Sequence, residues 1–204
     1  MACDATTLLR SDFETGDQSW TVGEFFNSTH GWLPTYVPFG GVDGSGYIET
    51  SDVYGFNAFH APTSWLGDQS RLYGAKIRIQ QKVLSADGRM LPLIGLVSGA
   101  TKLQFRTPPP GTDWTTYQIP LIASAGWEIA NGSGDSGPAA TEEDLRRVLS
   151  NLQWLAINAD WQAGNDIVSM DNVYVGMPEP ASIALSASAL ATLAFFHRRR
   201  RRAN

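Results

Sequence analysis

The chain has 204 residues, 43% of them apolar and only 17% charged, with 20 Gly, 11 Pro and 7 Trp. This composition excludes a coiled coil, a helical bundle and a disordered acidic tail, and it predicts one turn-rich β domain plus a tail. The formal net charge of −5 excludes a nucleic-acid partner held by bulk positive charge, and the single cysteine, Cys3, excludes an intrachain disulfide.

Residues 1–10 are expected to be disordered, with the folded body spanning 11–176 and opening on Ser11-Asp12-Phe13-Glu14-Thr15-Gly16. Trp20, Phe25, Phe26 and Trp32 follow between polar turns, then a Gly-rich loop from Phe39 to Gly46 and a short strand at Tyr47–Thr50. Tyr73–Val83 is the clearest strand. Tyr73, Ala75, Ile77 and Ile79 alternate with Gly74, Lys76, Arg78 and Gln80, the period-2 pattern of a half-buried strand. Asp87-Gly88 marks a turn, Leu91–Val97 is a mainly apolar run, and Lys102–Arg106 alternates again. Thr107–Asp113 breaks the chain before a strand at Trp114–Leu121, a brief one at Trp127–Ile129 and a loop at Asn131–Pro138.

Thr141 caps the one predicted helix of the body, with Glu142, Glu143 and Asp144 at the positive end of its dipole. Leu145, Val148, Leu149 and Leu152 recur at i, i+3, i+4, i+7 and form its apolar face. Leu155–Ala159 returns to strand. Ile167–Val175 closes the body, with Ile167, Ser169, Asp171, Val173 and Val175 expected on one side. Many short strands with one short helix predict an all-β sandwich.

The segment Phe59-His60-Ala61-Pro62-Thr63-Ser64-Trp65-Leu66-Gly67-Asp68-Gln69-Ser70, with Gly44–Thr50 and Asp52 before it and Tyr73-Gly74 after it, resembles the laminin B domain (laminin domain IV). So do Trp114-Thr115-Thr116-Tyr117, Trp127, the 141–152 helix and Met170-Asp171-Asn172-Val173. The resemblance spans about Ser11 to Val175. It implies a jelly-roll sandwich like those of carbohydrate-binding modules, without known catalytic residues. The EGF-like repeats that flank the laminin version have no counterpart here.

Catalytic motifs are weak. Gly134-Asp135-Ser136-Gly137 is similar to a serine-protease nucleophile segment, but neither His30 nor His60 stands in that family's histidine context. The Gly-rich loop lacks the Lys of a phosphate-binding loop, and the Cys and His are too few and scattered for zinc. Nothing marks out a glycosidase carboxylate pair. A structural calcium between the first and last strands is expected at Glu14 and Asp171, with Asp12, Asp43 and Asp52 as helpers; the alternative is that these are strand-end or turn residues. Sugar-binding modules stack pyranose rings on exposed aromatics. Trp20, Trp32, Tyr36, Tyr54 and Trp65, all in loop-rich sequence, are the candidates here.

The tail differs from the body. Residues 1–176 hold ten Lys and Arg against nineteen Asp and Glu, a net of −9, whereas residues 177–204 hold five Arg and one Glu, a net of +4. Pro178-Glu179-Pro180 precedes a charge-free run from Ala181 to Phe196, whose apolar members include Ala181, Ile183, Leu185, Leu190, Leu193, Phe195 and Phe196. Arg198, Arg199, Arg200, Arg201 and Arg202 follow. As a helix the run reaches roughly 24 Å, short of a hydrocarbon core of about 30 Å, and snorkelling arginines close the gap. The arginines place that end in the cytoplasm.

Pro-Glu-Pro, a short apolar helix and a terminal Arg cluster resemble a PEP-CTERM sorting signal. The resemblance covers residues 177–204 and implies a bacterial envelope protein handled by an exosortase, cleaved near Pro178–Pro180. Met1–Thr6 shows neither basic n-region nor apolar h-region, so a late start, a processed start or a lone tail anchor all stay open. The expectation is a non-enzymatic exported protein. It passes through the inner membrane by a single transmembrane helix and then stays at the cell surface or in the extracellular matrix, binding or organising exopolysaccharide. A polysaccharide hydrolase or lyase, or a purely structural biofilm matrix component, is the alternative.

Overall fold

A computed structural model describes residues 6–27, 30–52, 55–131 and 135–177. Its strands are β1 (Thr6–Ser11), β2 (Thr21–Glu24), β3 (His30–Trp32), β4 (Thr35–Val37), β5 (Tyr47–Ser51), β6 (Asn57–His60) and β7 (Lys76–Val83). After these come β8 (Leu91–Ser98), β9 (Thr101–Thr107), β10 (Thr115–Pro120), β11 (Glu128–Ile129), the helix α1 (Glu142–Leu149), β12 (Trp154–Asn158) and β13 (Ile167–Met177).

The strands form two antiparallel sheets packed face to face. The first runs β10-β7-β13-β5-β4, with β1 also paired to β13, and the second runs β11-β9-β8-β12-β6-β2-β3. β5 pairs with Ile167–Met170 and β1 with Val173–Met177, so these two strands lie end to end along one flank of β13. This corrects the expected disorder for residues 6–10; residues 1–5 lie outside the described residues. Thr6–Ser11 is a strand because β13 extends to Met177 and offers it a ladder of hydrogen bonds.

The predicted alternation of β7 holds: Ile77, Ile79 and Val83 enter the core while Lys76 and Arg78 are exposed. For β13 it holds only in part. Asn172 adopts φ 50° and the register shifts between Asp171 and Tyr174, a β-bulge that exchanges the two faces. Val168, Met170, Val173 and Val175 therefore all reach the core, so Val173 and Val175 do not share a side with Ser169 and Asp171.

Trp20, Trp127, Trp161, Phe13 and Phe59 are fully buried between the sheets. Trp20 meets Trp65 edge-to-face at 5.4 Å and Phe13 at 6.1 Å, and its indole N–H donates to Ser11 Oγ at 2.9 Å. Burial of such a ring is worth about 3 kcal/mol, and its polar edge is satisfied.

α1 starts as predicted. Thr141 Oγ1 accepts from the Asp144 N–H, and the Asp144 carboxylate accepts from the Thr141 N–H, a reciprocal cap. Leu145, Val148 and Leu149 bury its inner face against β8 and β9. No helix among the described residues is long and apolar enough to cross a membrane. The expected transmembrane run, Ala181–Phe196, and the whole of 178–204 lie outside those residues.

Candidate ligand-binding site

The expected calcium pair does come together. Asp171 is fully buried on β13, and the charge of Glu14, after the loop from β1, lies close enough to disfavour its ionisation. Asp171, however, is already served by the chain's own donors. Its Oδ2 accepts from the Val42 N–H at 2.8 Å and Ser45 Oγ at 3.0 Å, and its Oδ1 accepts from the Asn172 N–H at 2.6 Å. The Gly-rich loop is the cradle for this carboxylate. A Cβ at Gly41 would stand 2.8 Å from Asp171 Oδ2, and one at Gly46 would collide with the Phe13 carbonyl. Burial raises the Asp171 pKa, and these three donors lower it.

Calcium requires six to eight oxygens, and no group of three His, Cys, Asp or Glu placed to hold a metal occurs among the described residues. The donor set here does not fit a calcium shell. Asp12 is taken up by Arg10 at 2.9 Å and Gln18 at 2.7 Å, and Asp52 lines the cleft described below.

The aromatic candidates separate sharply. Trp20 and Trp65 are 0% and 3% exposed, so both are core residues and cannot stack a sugar; polar loop neighbours hid their inward direction. Trp32 is 62% exposed at the outer strand of the second sheet. Tyr36 is half-buried and donates its hydroxyl to the Glu14 carbonyl at 3.0 Å. Tyr54 lies outside the described residues.

A different set of residues builds two clefts on the second sheet. On the outer face of the second sheet a second apolar cluster gathers Phe25, Phe26, Ala58, Val97 and Ala156, with Phe56 and Trp154 packed against it. Phe25 and Phe26 follow β2 and fold over the sheet onto Gly95 of β8, where a Cβ would lie 2.9 Å from both rings. Phe56 stacks on Phe25 at 4.8 Å. Clefts lie on both sides of this aromatic ridge and share Gly55 and Phe56.

One cleft, about 630 Å³, is bordered by Glu24, Asn27 and Lys102. The other, about 680 Å³, is walled by Asp52, Phe56, Arg89, Arg106, Asp160 and Gln162. In the second cleft Arg89 is fixed by Asp87 at 2.6 Å, and Arg106 donates to the Met90 carbonyl at 2.5 Å. Gln162 accepts from Ser85 Oγ at 2.6 Å and donates to the Asn165 carbonyl at 2.6 Å. Such pre-positioned amide, guanidinium and carboxylate groups beside an aromatic wall suit a polyhydroxylated ligand.

Asp160 is the most perturbed carboxyl of the cleft. Burial first, then the charges of Asp166 and Asp52, push its pKa up to about 6. Asp166 is raised for the same leading reason. Between about pH 4 and pH 6 the folded chain therefore holds a proton that the unfolded chain releases. The contribution of Asp160 to stability is present below the lower value and lost as pH rises through the upper one. Thermal unfolding followed from pH 4 to pH 7 is expected to show this falling component in the native chain and a flatter profile in Asp160→Asn.

The cleft residues Phe56, Arg89, Arg106, Asp160 and Gln162 carry no sequence motif. The one usable sign was Gly95 inside an otherwise apolar strand, which marks a close approach of another group.

A family model for laminin B (domain IV) matches residues 58–190, more than half of the chain. The chain belongs to the laminin B family. The match begins at β6, so β1–β5 precede it, and its last residues run past Met177. Among solved structures, this laminin B chain is similar to the L4b domain of human laminin alpha-2, with 12% identity over 84% of this chain and 98% of that one and a TM-score of 0.63. It is also similar to a family 11 carbohydrate-binding module from a cellulosomal cellulase of Clostridium thermocellum, with 15% identity, 86% and 96% coverage and a TM-score of 0.51. An exo-beta-agarase matches with 14% identity and a TM-score of 0.54, over 86% of this chain but only 26% of the agarase. These likenesses establish the sandwich fold. Comparison with curated protein sequences finds no match.

Proposed function

We propose that this laminin B domain is a non-enzymatic surface or matrix module that binds extracellular polysaccharide in the cleft beside Phe56. The observation that carries the reading is the juxtaposition of Phe56 with Arg106, Arg89, Gln162 and Asp52 in one open cleft of about 680 Å³. A ring stacked on Phe56 would place its hydroxyls against donors and acceptors already held in position. The fold shared with a carbohydrate-binding module supports the reading. Affinity electrophoresis through a panel of neutral and acidic polysaccharides is the test. The native chain is expected to be retarded by at least one polymer, and Phe56→Ala to lose about tenfold in affinity with unchanged circular dichroism. No retardation by any polymer, with the protein retained in biofilm, would favour a structural matrix role instead.

One observation favours a second reading as a polysaccharide hydrolase. Asp160, with its pKa pushed up to about 6, shares the cleft with the carboxyls of Asp52 and Asp135, and a carboxyl that keeps its proton toward neutral pH is what general acid work uses. Reducing ends released from a bound polymer and abolished in Asp160→Asn would establish it.

The tail completes the proposal. The order of Pro178-Glu179-Pro180, the charge-free run Ala181–Phe196 and Arg198–Arg202 in the sequence supports processing by an exosortase. Replacing Arg198–Arg202 with Ala is expected to abolish delivery to the surface and leave the uncleaved chain mislocalised, as read by fractionation and immunoblotting. Normal delivery of that variant would sink the sorting mechanism.

A further inference from the structure

The outer face of the first sheet carries a second constellation. Glu49 of β5, Ser169 of β13 and Lys82 of β7 are direct cross-strand neighbours, so their side chains stand in one row on one face. Trp114 continues this row immediately before β10, and Tyr47 stands two residues from Glu49 on the same face. The Tyr47 and Trp114 rings meet at 79° with centroids 5.5 Å apart and form a corner. Lys82 Nζ sits in that corner, 4.7 Å from one centroid and 4.6 Å from the other.

This lysine is positioned but not neutralised. Among the described residues it takes part in no ion pair and no hydrogen bond, and its ordering comes from the two ring faces. Cation–π attraction at such a half-exposed site is weaker than a charge-assisted hydrogen bond to a carboxylate. Lys82 lines a cleft of about 270 Å³ with Tyr47, Glu49, Thr112, Ser169 and Ile167. Glu49 lies close to the Tyr47 hydroxyl, whose pKa is raised first by burial and then by that carboxylate. The rim is apolar, with Leu84 70% and Ile167 41% exposed.

We propose that this cleft binds a uronate unit, a sugar ring bearing one carboxylate, at a site separate from the one beside Phe56. Lys82 takes the carboxylate, Glu49 and the Ser169 and Thr112 hydroxyls face ring hydroxyls, and Leu84 and Ile167 cover a C–H face. The volume lies just below the usual range of roughly 300–1,000 Å³ for ligand clefts, which suits one ring and not an extended chain. Charge narrows the ligand further. Residues 1–176 carry a net −9, and beyond a Debye length of roughly 8 Å that repulsion is screened, so attraction operates at contact only. A carboxylate on a ring fits this pattern, and a densely sulfated chain does not.

The test is calorimetric titration of the full chain with trigalacturonate, its methyl ester and dextran sulfate. Trigalacturonate is expected to bind saturably, the ester at least tenfold more weakly, and dextran sulfate not at all. Lys82→Met, which keeps the aliphatic stem between the rings, is expected to lose at least tenfold, and Lys82→Arg to stay within about threefold of the native chain. Phe56→Ala is expected to leave this affinity unchanged, which separates the outcome from that of the other cleft. The proposal is overturned by absence of saturable binding, by equal binding of acid and ester, by preferential binding of dextran sulfate, or by loss in Phe56→Ala with none in Lys82→Met. The acid–ester comparison is made in the native chain and in Phe56→Ala; a preference for the acid that persists in Phe56→Ala places it at this cleft even if Lys82→Met fails to fold, and its disappearance there overturns the proposal.

Discussion

Trp20→Ala is expected to lower folding stability by about 4 kcal/mol, the middle of the range for emptying a buried aromatic site. Trp20 has no exposed surface, touches Phe13 and Trp65 edge-on, and anchors its indole N–H on Ser11 of β1. Its removal therefore opens a cavity between the sheets, deletes two aromatic contacts and leaves the Ser11 hydroxyl without its donor. Urea unfolding of the full chain, followed by fluorescence and circular dichroism together, measures the loss. Trp32→Ala is the matched control. With 62% of its surface in solvent, it is expected to change stability by no more than about 0.5 kcal/mol. Similar losses for the two variants would mean that the packing around Trp20 collapses to fill the space.

Asp171→Ala is expected to cost about 3 kcal/mol, because it strands the Val42 and Asn172 amides together, while the Ser45 hydroxyl keeps the Val42 carbonyl as its acceptor. The effect is one of connectivity. This carboxylate ties β13 to the loop between β4 and β5, and its loss should raise hydrogen exchange across residues 41–46 before the rest of the sheet. Asp171→Asn retains shape and one acceptor and is expected to recover about half of the loss. Millimolar calcium is expected to leave the melting temperature of the native chain where it is. A rise of several degrees, absent in Asp171→Ala, would restore the cation that the donor set argues against.

The fold was legible wherever a local rule and the tertiary structure agree. β7 alternates because one of its faces packs on the other sheet, and α1 begins at Thr141 because its cap is built from residues three apart. Strands β8 to β12 fall within one residue of their expected limits for the same reason. Legibility failed where a distant partner decides. Thr6–Ser11 becomes a strand only because the far end of the chain pairs with it. Val173 and Val175 change sides through one residue, Asn172, whose positive φ no periodicity announces. Trp20 and Trp65 stand in polar, turn-rich sequence, and only the packed sheets show that both point inward.

The sites followed the same division. The proximity of Glu14 and Asp171 was readable from the meeting of first and last strands, but the hydrogen bonds that Val42 and Ser45 give Asp171 were not, since these two donors come from a loop about 130 residues away. The clefts beside Phe56 depend on β5–β6 and β12–β13 connections that approach each other only in the folded sheet. The Lys82 corner is likewise spread over three strands and the approach to a fourth, at spacings no motif records.

The placement of β13 has a consequence for synthesis. This last strand lies between β5 and β7 and also carries β1, so the first sheet lacks its middle until Met177 has been added. An N-terminal part of the domain cannot mature alone, and most of the pairing must be made across long sequence separations, which slows folding.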